Sequence, residues 1–204
     1  MQSTQTNSKR TLGLVSLILC AVFFLQACSV SQPETYAPKR GQMGKDVMWL
    51  PTGDDLIVKM LQAAKVGPQD ELVDLGAGDG KIPIAAARHF GARAWGIEYN
   101  KDLAALAQRN AQRAGVADRV RIVQGDIFKE DFSKATVVTM YLLEELNAQL
   151  RPTILAMKPG TRVVSNTFNM GDWEPDETVL DQHWRAHFWV VPAQIEGAWV
   201  MKGV

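Results

Sequence analysis

The strongest constraint on this chain lies near its middle. Glu71 to Leu75 is a short apolar run, three glycines follow at positions 76, 78 and 80, and an alanine-rich stretch runs from Ile82 to about Phe90. The first run has strand length and the last has helical spacing, so the glycines must turn a strand directly into a helix. A helix launched this way crosses back to start a second strand parallel to the first. All-helical bundles and β-sandwiches are excluded at once.

The flanking sequence repeats the alternation. Upstream, Leu56, Ile57, Met60, Leu61 and Ala64 fall on one helical face that begins at Asp54 and stops at Gly67-Pro68. Downstream, strands are expected at Ala92 to Ile97, Val120 to Val123, Ala135 to Tyr141 and Arg162 to Thr167. Between them lie one helical face from Leu103 to Ala114 and a second from Leu146 to Met157, which Pro152 interrupts or restarts. The tail offers two further strands, around His187 to Val191 and Ala198 to Met201, joined without a helix. The pattern predicts an α/β fold: a doubly wound, mostly parallel seven-stranded sheet that ends in an antiparallel pair.

Composition narrows the functional classes. Lys and Arg total 22 and so do Asp and Glu, with no basic run interleaved with aromatics, so nucleic acid is not the expected partner. Cys20 and Cys28 are the only cysteines, so no disulfide and no cysteine-based zinc site holds the remainder together. His89, His183 and His187 show no recognisable metal-site motif, although the last two sit four apart, no metal is expected, and the tryptophans near the end read as packing residues. No Gly-x-Ser-x-Gly element or phosphate loop is present, which leaves hydrolase and kinase readings without support.

The amino terminus reads as a separate piece. Lys9 and Arg10 precede an apolar stretch from Leu12 to Leu25, the order of a signal peptide, and Leu25-Gln26-Ala27-Cys28 resembles a bacterial lipobox. Acylation of Cys28 would make a membrane-anchored lipoprotein; an uncleaved membrane helix is the alternative, at roughly 20 residues to span a bilayer. Basic residues on the two sides balance, so the charge rule does not decide which side the chain faces. The expected division is residues 1–27 as signal peptide or anchor, 28–45 as a tether and 46–204 as the folded domain.

The glycine turn, Asp74-Leu75-Gly76-Ala77-Gly78-Asp79-Gly80, sits where a backbone can cradle a ligand, because glycine allows positive φ and close approach. A dinucleotide turn wants glycine or alanine at position 81, and this chain has Lys81. The spacing Asp-x-Gly-x-Gly-x-Gly instead resembles the S-adenosylmethionine turn of class I methyltransferases. Glu98, twenty residues after Gly78, is placed to accept from ribose hydroxyls, and Asp126 from an adenine amino group, with Ile127 or Phe128 against the ring. All three sites fall at carboxyl ends of adjacent strands, where α/β proteins bind ligands.

From about Trp49 to Asp176 the chain resembles a narrower family, the small lysine methyltransferases related to the mitochondrial enzymes that modify the ATP synthase c-subunit and the adenine nucleotide translocase. The matching pieces are Leu50-Pro51-Thr52, the glycine turn through Lys81, Gly96-Ile97-Glu98-Tyr99-Asn100, Gly160 to Ser165, and Trp173 with Pro175. The resemblance implies a Rossmann-like class I methyltransferase fold and an S-adenosylmethionine site at Thr52, Asp74, Gly76, Gly78, Gly80, Glu98, Asp126 and Ile127. It implies methyl transfer to a protein lysine, with Tyr141 orienting the amine and Glu144, Glu145 or Asn166 receiving or relaying its proton. The Asp/Asn-Pro-Pro-Tyr element of amide and adenine methylases is missing at Met140 to Leu143. A quinone or lipid acceptor and a non-catalytic binding lipoprotein are the rival expectations.

Overall fold

The computed structural model describes residues 36–180 and 184–193. The compact unit that begins at Ala37 contains four helices and seven strands among those residues. In chain order they are α1 (Asp54–Ala63), β1 (Glu71–Leu75), α2 (Lys81–Phe90), β2 (Arg93–Glu98), α3 (Lys101–Arg113), β3 (Val120–Gln124), β4 (Val137–Met140), α4 (Glu144–Leu155), β5 (Arg162–Asn166), β6 (Glu177–Leu180) and β7 (Arg185–Val190).

The seven strands form one sheet in the order β3-β2-β1-β4-β5-β7-β6. The first five are parallel; β7 runs antiparallel to both β5 and β6. Chain order reverses between β1 and β4, and the crossovers on either side leave a crevice above their carboxyl ends. Asp74, near the end of β1, sits in register with Gly96 on β2 and Thr139 on β4.

Successive residues of each central strand point to opposite faces, and both faces are covered. Val73, Val138 and Val163 join Leu150, Ile154 and Trp189 in one apolar cluster. Leu72, Val137 and Val164 join Leu56, Ile57, Met60 and Ala86 in the other. Burying each such side chain contributes about 1.5–3 kcal/mol, which fixes the strand register and with it the crevice.

Three expectations need correction. Pro152 neither interrupts nor restarts a helix: α4 runs through it, with the ring on the solvent side, where water can satisfy the carbonyl that loses its partner. β4 is shorter than Ala135 to Tyr141, because Ala135 is still in a turn and Tyr141 has left the sheet. β5 stops at Asn166, since Thr167 adopts a φ of 69°. The expected antiparallel end of the sheet is present: β7 pairs with β6, an edge strand exposed on most of its length whose weak apolar signal does not mark it as a strand. The expected strand at Ala198 to Met201, the apolar stretch Leu12 to Leu25, Cys28 and His183 lie outside the described residues. Among those described, no helix is long and apolar enough to cross a membrane.

Residues 41–49, which straddle the expected end of the tether at 45, form a small hairpin. Gly41 N–H donates to the Trp49 carbonyl at 2.9 Å, Trp49 N–H returns to Gln42 at 2.8 Å, and Met43 bridges Met48.

Candidate functional site

The cleft starts from two close backbone approaches. The turn after β1 lies on the end of β2, with Gly76 and Ala77 N–H both donating to the Ile97 carbonyl at 2.9 and 3.0 Å. Gly96 permits this, because a Cβ there would fall 2.4 Å from that of Ala77. Gly78 has a φ of 55°, and a Cβ on it would meet the Trp49 indole Nε1 at 2.7 Å, so the turn packs directly beneath the hairpin.

Strand ends supply the acids. Glu98 closes β2 and is 8% exposed; its Oε2 accepts from Gly78 N–H and its Oε1 from Asn100 N–H, both at 2.8 Å. Asn100 in turn caps α3, its Oδ1 accepting from Asp102 and Leu103 N–H, so the Glu98 carboxylate is held by a helix start. Asp74 is 3% exposed and its Oδ1 accepts from the Thr139 hydroxyl at 2.7 Å.

Burial raises the pKa of both acids. Asp74 is pushed up to about 7 by desolvation, against the pull of the Thr139 hydrogen bond and with help from the Glu98 charge. Desolvation also lifts Glu98, although backbone N–H groups of Asn100, Gly78 and Tyr99 favour its charged form. Among the described residues no lysine or arginine offsets either carboxylate. Two buried acids with lone pairs to spare fit a ligand that carries a cation and vicinal hydroxyls, as S-adenosylmethionine does.

Asp126 follows β3 at the same edge and is more open. Its Oδ1 accepts from Phe128 N–H at 3.1 Å, and Lys45 Nζ of the hairpin donates to Oδ2 at 3.2 Å. The Phe128 hydrogen bond and the Lys45 charge hold its pKa low. Lys45 also stands over the Tyr99 ring, 5.1 Å from its centroid. Thr52 and Ile127 complete this part of the wall.

Of the residues singled out in the sequence, Thr52, Asp74, Gly76 and Gly78 come together in the lining of a single cleft. Glu98, Asp126, Ile127 and Tyr141 complete it. Gly80 stands behind the cleft as the left-handed cap of α2, where a Cβ would fall 2.9 Å from that of Ala107. Asn166 is buried and donates to Thr52 Oγ1 at 3.2 Å while accepting from the Thr167 hydroxyl, so it braces the wall instead of facing the cleft. As an amide it holds position and takes no proton. Glu144 is exposed in the first turn of α4, outside the lining. Tyr141 is half-buried, its pKa raised by desolvation against a hydrogen bond with Thr167. The residues that sequence reasoning missed are Lys45, Met48 and Trp49 of the hairpin, which roof the site from a segment without side-chain periodicity.

Comparison with known proteins agrees with this geometry. The family described as the ANTKMT methyltransferase domain matches residues 74–177. A protein-lysine N-methyltransferase of Saccharolobus islandicus is 43% identical over 135 residues, 65% of this chain and 84% of that protein. The ATP synthase c-subunit lysine N-methyltransferase of Mus musculus is 34% identical over 132 residues, 63% of this chain, which spans only about half (51%) of the mouse protein. Among solved structures, an RNA methyltransferase from Salinibacter ruber in complex with S-adenosyl-L-homocysteine superposes with a TM-score of 0.70 at 47% identity, covering 73% of this chain and 98% of that one. A strand-end acid pair, a glycine turn beneath it and a match that runs from Asp74 into β6 place the chain in the ANTKMT methyltransferase family, class I enzymes that use S-adenosylmethionine as methyl donor.

Proposed function

We propose that this enzyme methylates the ε-amine of lysine in a protein, and that it does so while anchored to a membrane through its amino-terminal segment and Cys28. The observation that carries the acceptor is the 43% identity with the Saccharolobus protein-lysine enzyme across 84% of its length. An RNA acceptor, suggested by the name of the Salinibacter protein, is disfavoured by charge: Lys and Arg only equal Asp and Glu in number. The lysines that line the cleft, Lys45 and Lys81, are paired with Asp126 and Asp54, and so do not make the free basic stripe that phosphates require.

The bound cofactor supplies an electrophilic methyl group on a sulfonium. Glu98 would accept from the ribose hydroxyls with the lone pairs its backbone bonds leave free, and Asp74 would offset the ligand's positive charge. Asp126 would accept from the adenine amino group, with Ile127 against the ring. Gly78 and Trp49 close the wall, and Thr52, braced by Asn166, supports it from the hairpin side. The protein's contribution is alignment and exclusion of water.

A lysine amine must first lose its proton, which costs about 4–5 kcal/mol at pH 7 from a reference pKa near 10.4. Tyr141 would orient the free amine, and the proton leaves toward solvent, where Glu144 and Glu145 stand exposed.

Incubation of the full chain with methyl-labelled cofactor and a cell lysate tests the acceptor. Label recovered as methyl-lysine after protein hydrolysis is expected; label confined to the lipid extract, as for a quinone or lipid acceptor, or to RNA would overturn the reading. Growth with labelled palmitate tests the anchor: label on the wild-type chain that disappears in Cys28→Ser supports acylation, and an unlabelled chain that stays in the membrane fraction favours the uncleaved helix.

A further inference from the structure

Two aromatic rings, Phe168 and Trp184, pack on Tyr141 without lining the cleft themselves. Phe168 lies nearly parallel to Tyr141, with ring centroids 6.4 Å apart and planes 29° off. Trp184 stands nearly perpendicular to the same ring, at 6.4 Å and 83°. The three form an open corner whose Tyr141 side belongs to the cofactor cleft, and Trp184 keeps 39% of its surface exposed. Trp184 thus stays partly open against a ring that lines the cleft, whereas Trp189 and Trp173 are packed against each other.

The backbone holds this corner at a conformational cost. Thr167, a β-branched residue, adopts a φ of 69°, and Phe168 N–H turns back to the Asn166 carbonyl at 2.8 Å. The buried Asn147 amide donates to the Phe168 carbonyl at 3.2 Å and the Asn169 carbonyl at 2.9 Å, fixing the turn from α4. Thr167 N–H donates to the Arg185 carbonyl at 2.7 Å, which ties the turn to the residue after Trp184. Both rings are therefore positioned by main-chain bonds to neighbouring elements.

We infer that Phe168 and Trp184, with Tyr141, form an acceptor subsite that recognises an alkylammonium group through the faces of its rings. This rests on the lysine reading above and assigns the residues that would select such an acceptor. Aromatic faces attract a cation without hydrogen-bonding its N–H groups, so they serve an ammonium equally well before and after it carries methyl groups. They also act on the transfer itself. The amine lone pair forms the new N–C bond as the S–C bond breaks, and the pair from that bond stays on sulfur. Positive charge thus passes from sulfur to nitrogen, and the proton on the product ammonium leaves to water. Rings beside the nitrogen favour the state in which the charge has arrived there.

The test compares two probes of one shape. Choline carries a quaternary ammonium, and its carbon isostere dimethylbutanol does not. With S-adenosylhomocysteine present, the full chain in a non-ionic detergent is titrated with each, and the indole N–H resonance of Trp184, assigned by its absence from Trp184→Leu, is followed by NMR. Choline is expected to shift it saturably, the isostere to leave it in place, and Phe168→Leu to weaken choline by roughly three- to fivefold. An equal response to both probes would make the corner a plain apolar patch and overturn the inference, as would no response to either. Kinetics with polylysine give a second readout. Trp184→Leu should lower kcat/KM by about three- to tenfold, with Trp184→Phe restoring most of it and cofactor affinity unchanged in both. A loss that Trp184→Phe does not repair would mark a packing role and count against the subsite. Wild type that leaves polylysine unlabelled would count against the lysine reading alone, and the probe titration would still decide the ring corner.

Discussion

The two walls of the cleft are made in different ways. One is the row of strand ends, where Asp74 and Glu98 are almost fully buried and held by backbone N–H groups and a hydroxyl. The other is the hairpin of residues 41–49, whose ion pair from Lys45 to Asp126 is open to solvent. Buried polar groups interact in a low effective dielectric, where each contact is strong and each unpaired charge is costly; exposed pairs are screened. The rigid wall should therefore set affinity and the hairpin should cover what is already bound.

Glu98→Ala probes the first half of that division most severely. In the proposed role it removes a charged acceptor for two ribose hydroxyls, each hydrogen bond worth about 1.5–3 kcal/mol, so calorimetry should show cofactor affinity falling at least about 100-fold. Circular dichroism should show the fold retained. A change below tenfold would mean that the ribose is held elsewhere.

Asp74 gives a response that depends on pH. Its pKa in the folded protein, about 7, lies above the unfolded value near 3.8, so across that interval the folded state keeps a proton the unfolded chain has lost. The Asp74 contribution to stability in the cofactor-free protein therefore falls as pH rises from 3.8 to about 7 and is flat beyond. Asp74→Asn removes that term, and thermal unfolding at pH 8 should show the variant melting higher than wild type without cofactor. A cationic ligand prefers the ionised acid, so wild-type affinity should rise up to about tenfold per pH unit below 7 and level off above it. The variant should bind weakly at every pH. Equal melting of the two proteins at pH 8 would show that Asp74 is not under electrostatic strain.

Gly78→Ala acts on the seam between the walls. The added Cβ meets the Trp49 ring at 2.7 Å in a backbone conformation with φ of 55°, so the hairpin must shift. A loss of about 1–2 kcal/mol in stability and a roughly tenfold loss of cofactor affinity are expected from denaturant titration and calorimetry. Pairing it with Trp49→Ala should recover the part due to the ring and leave the part due to φ.

These walls were not equally legible in the sequence. The turn at 74–80 and the acids at 98 and 126 could be read because strand, turn and helix are local patterns, and a ligand acid must follow its strand directly. The hairpin could not, because main-chain bonds such as Gly41 to Trp49 hold it and leave no side-chain period to detect. β6 escaped for a related reason: it is a short edge strand with one face on solvent. Asn166 was legible as a strand-end polar group, but its role turned out to be a brace on Thr52, which depends on how the hairpin side returns over the sheet. The tryptophans read together as packing; Trp189 is, and Trp184 stands open beside Tyr141 because β7 brings it there.

Lys45→Met should have the smallest effect and is the sharpest probe of what the hairpin does. Lys45 touches Asp126 and stands over Tyr99, both exposed enough for water to compete, and a pair of that kind adds little to stability. Asp126 also keeps its backbone bond from Phe128, so losing the lysine leaves the carboxylate oriented and frees Oδ2 for the proposed bond from the ligand. The gain of a free acceptor and the loss of a latch oppose each other. Cofactor affinity should therefore change by less than about threefold, and the melting temperature should stay where it was. Salt should separate the two contributions: wild-type affinity responds to ionic strength through the Lys45 pair, and the variant's response should be flatter. A tenfold loss of affinity in Lys45→Met, unchanged by salt, would mean that closing the hairpin is part of binding itself, and that the exposed wall shares in setting affinity with the buried one.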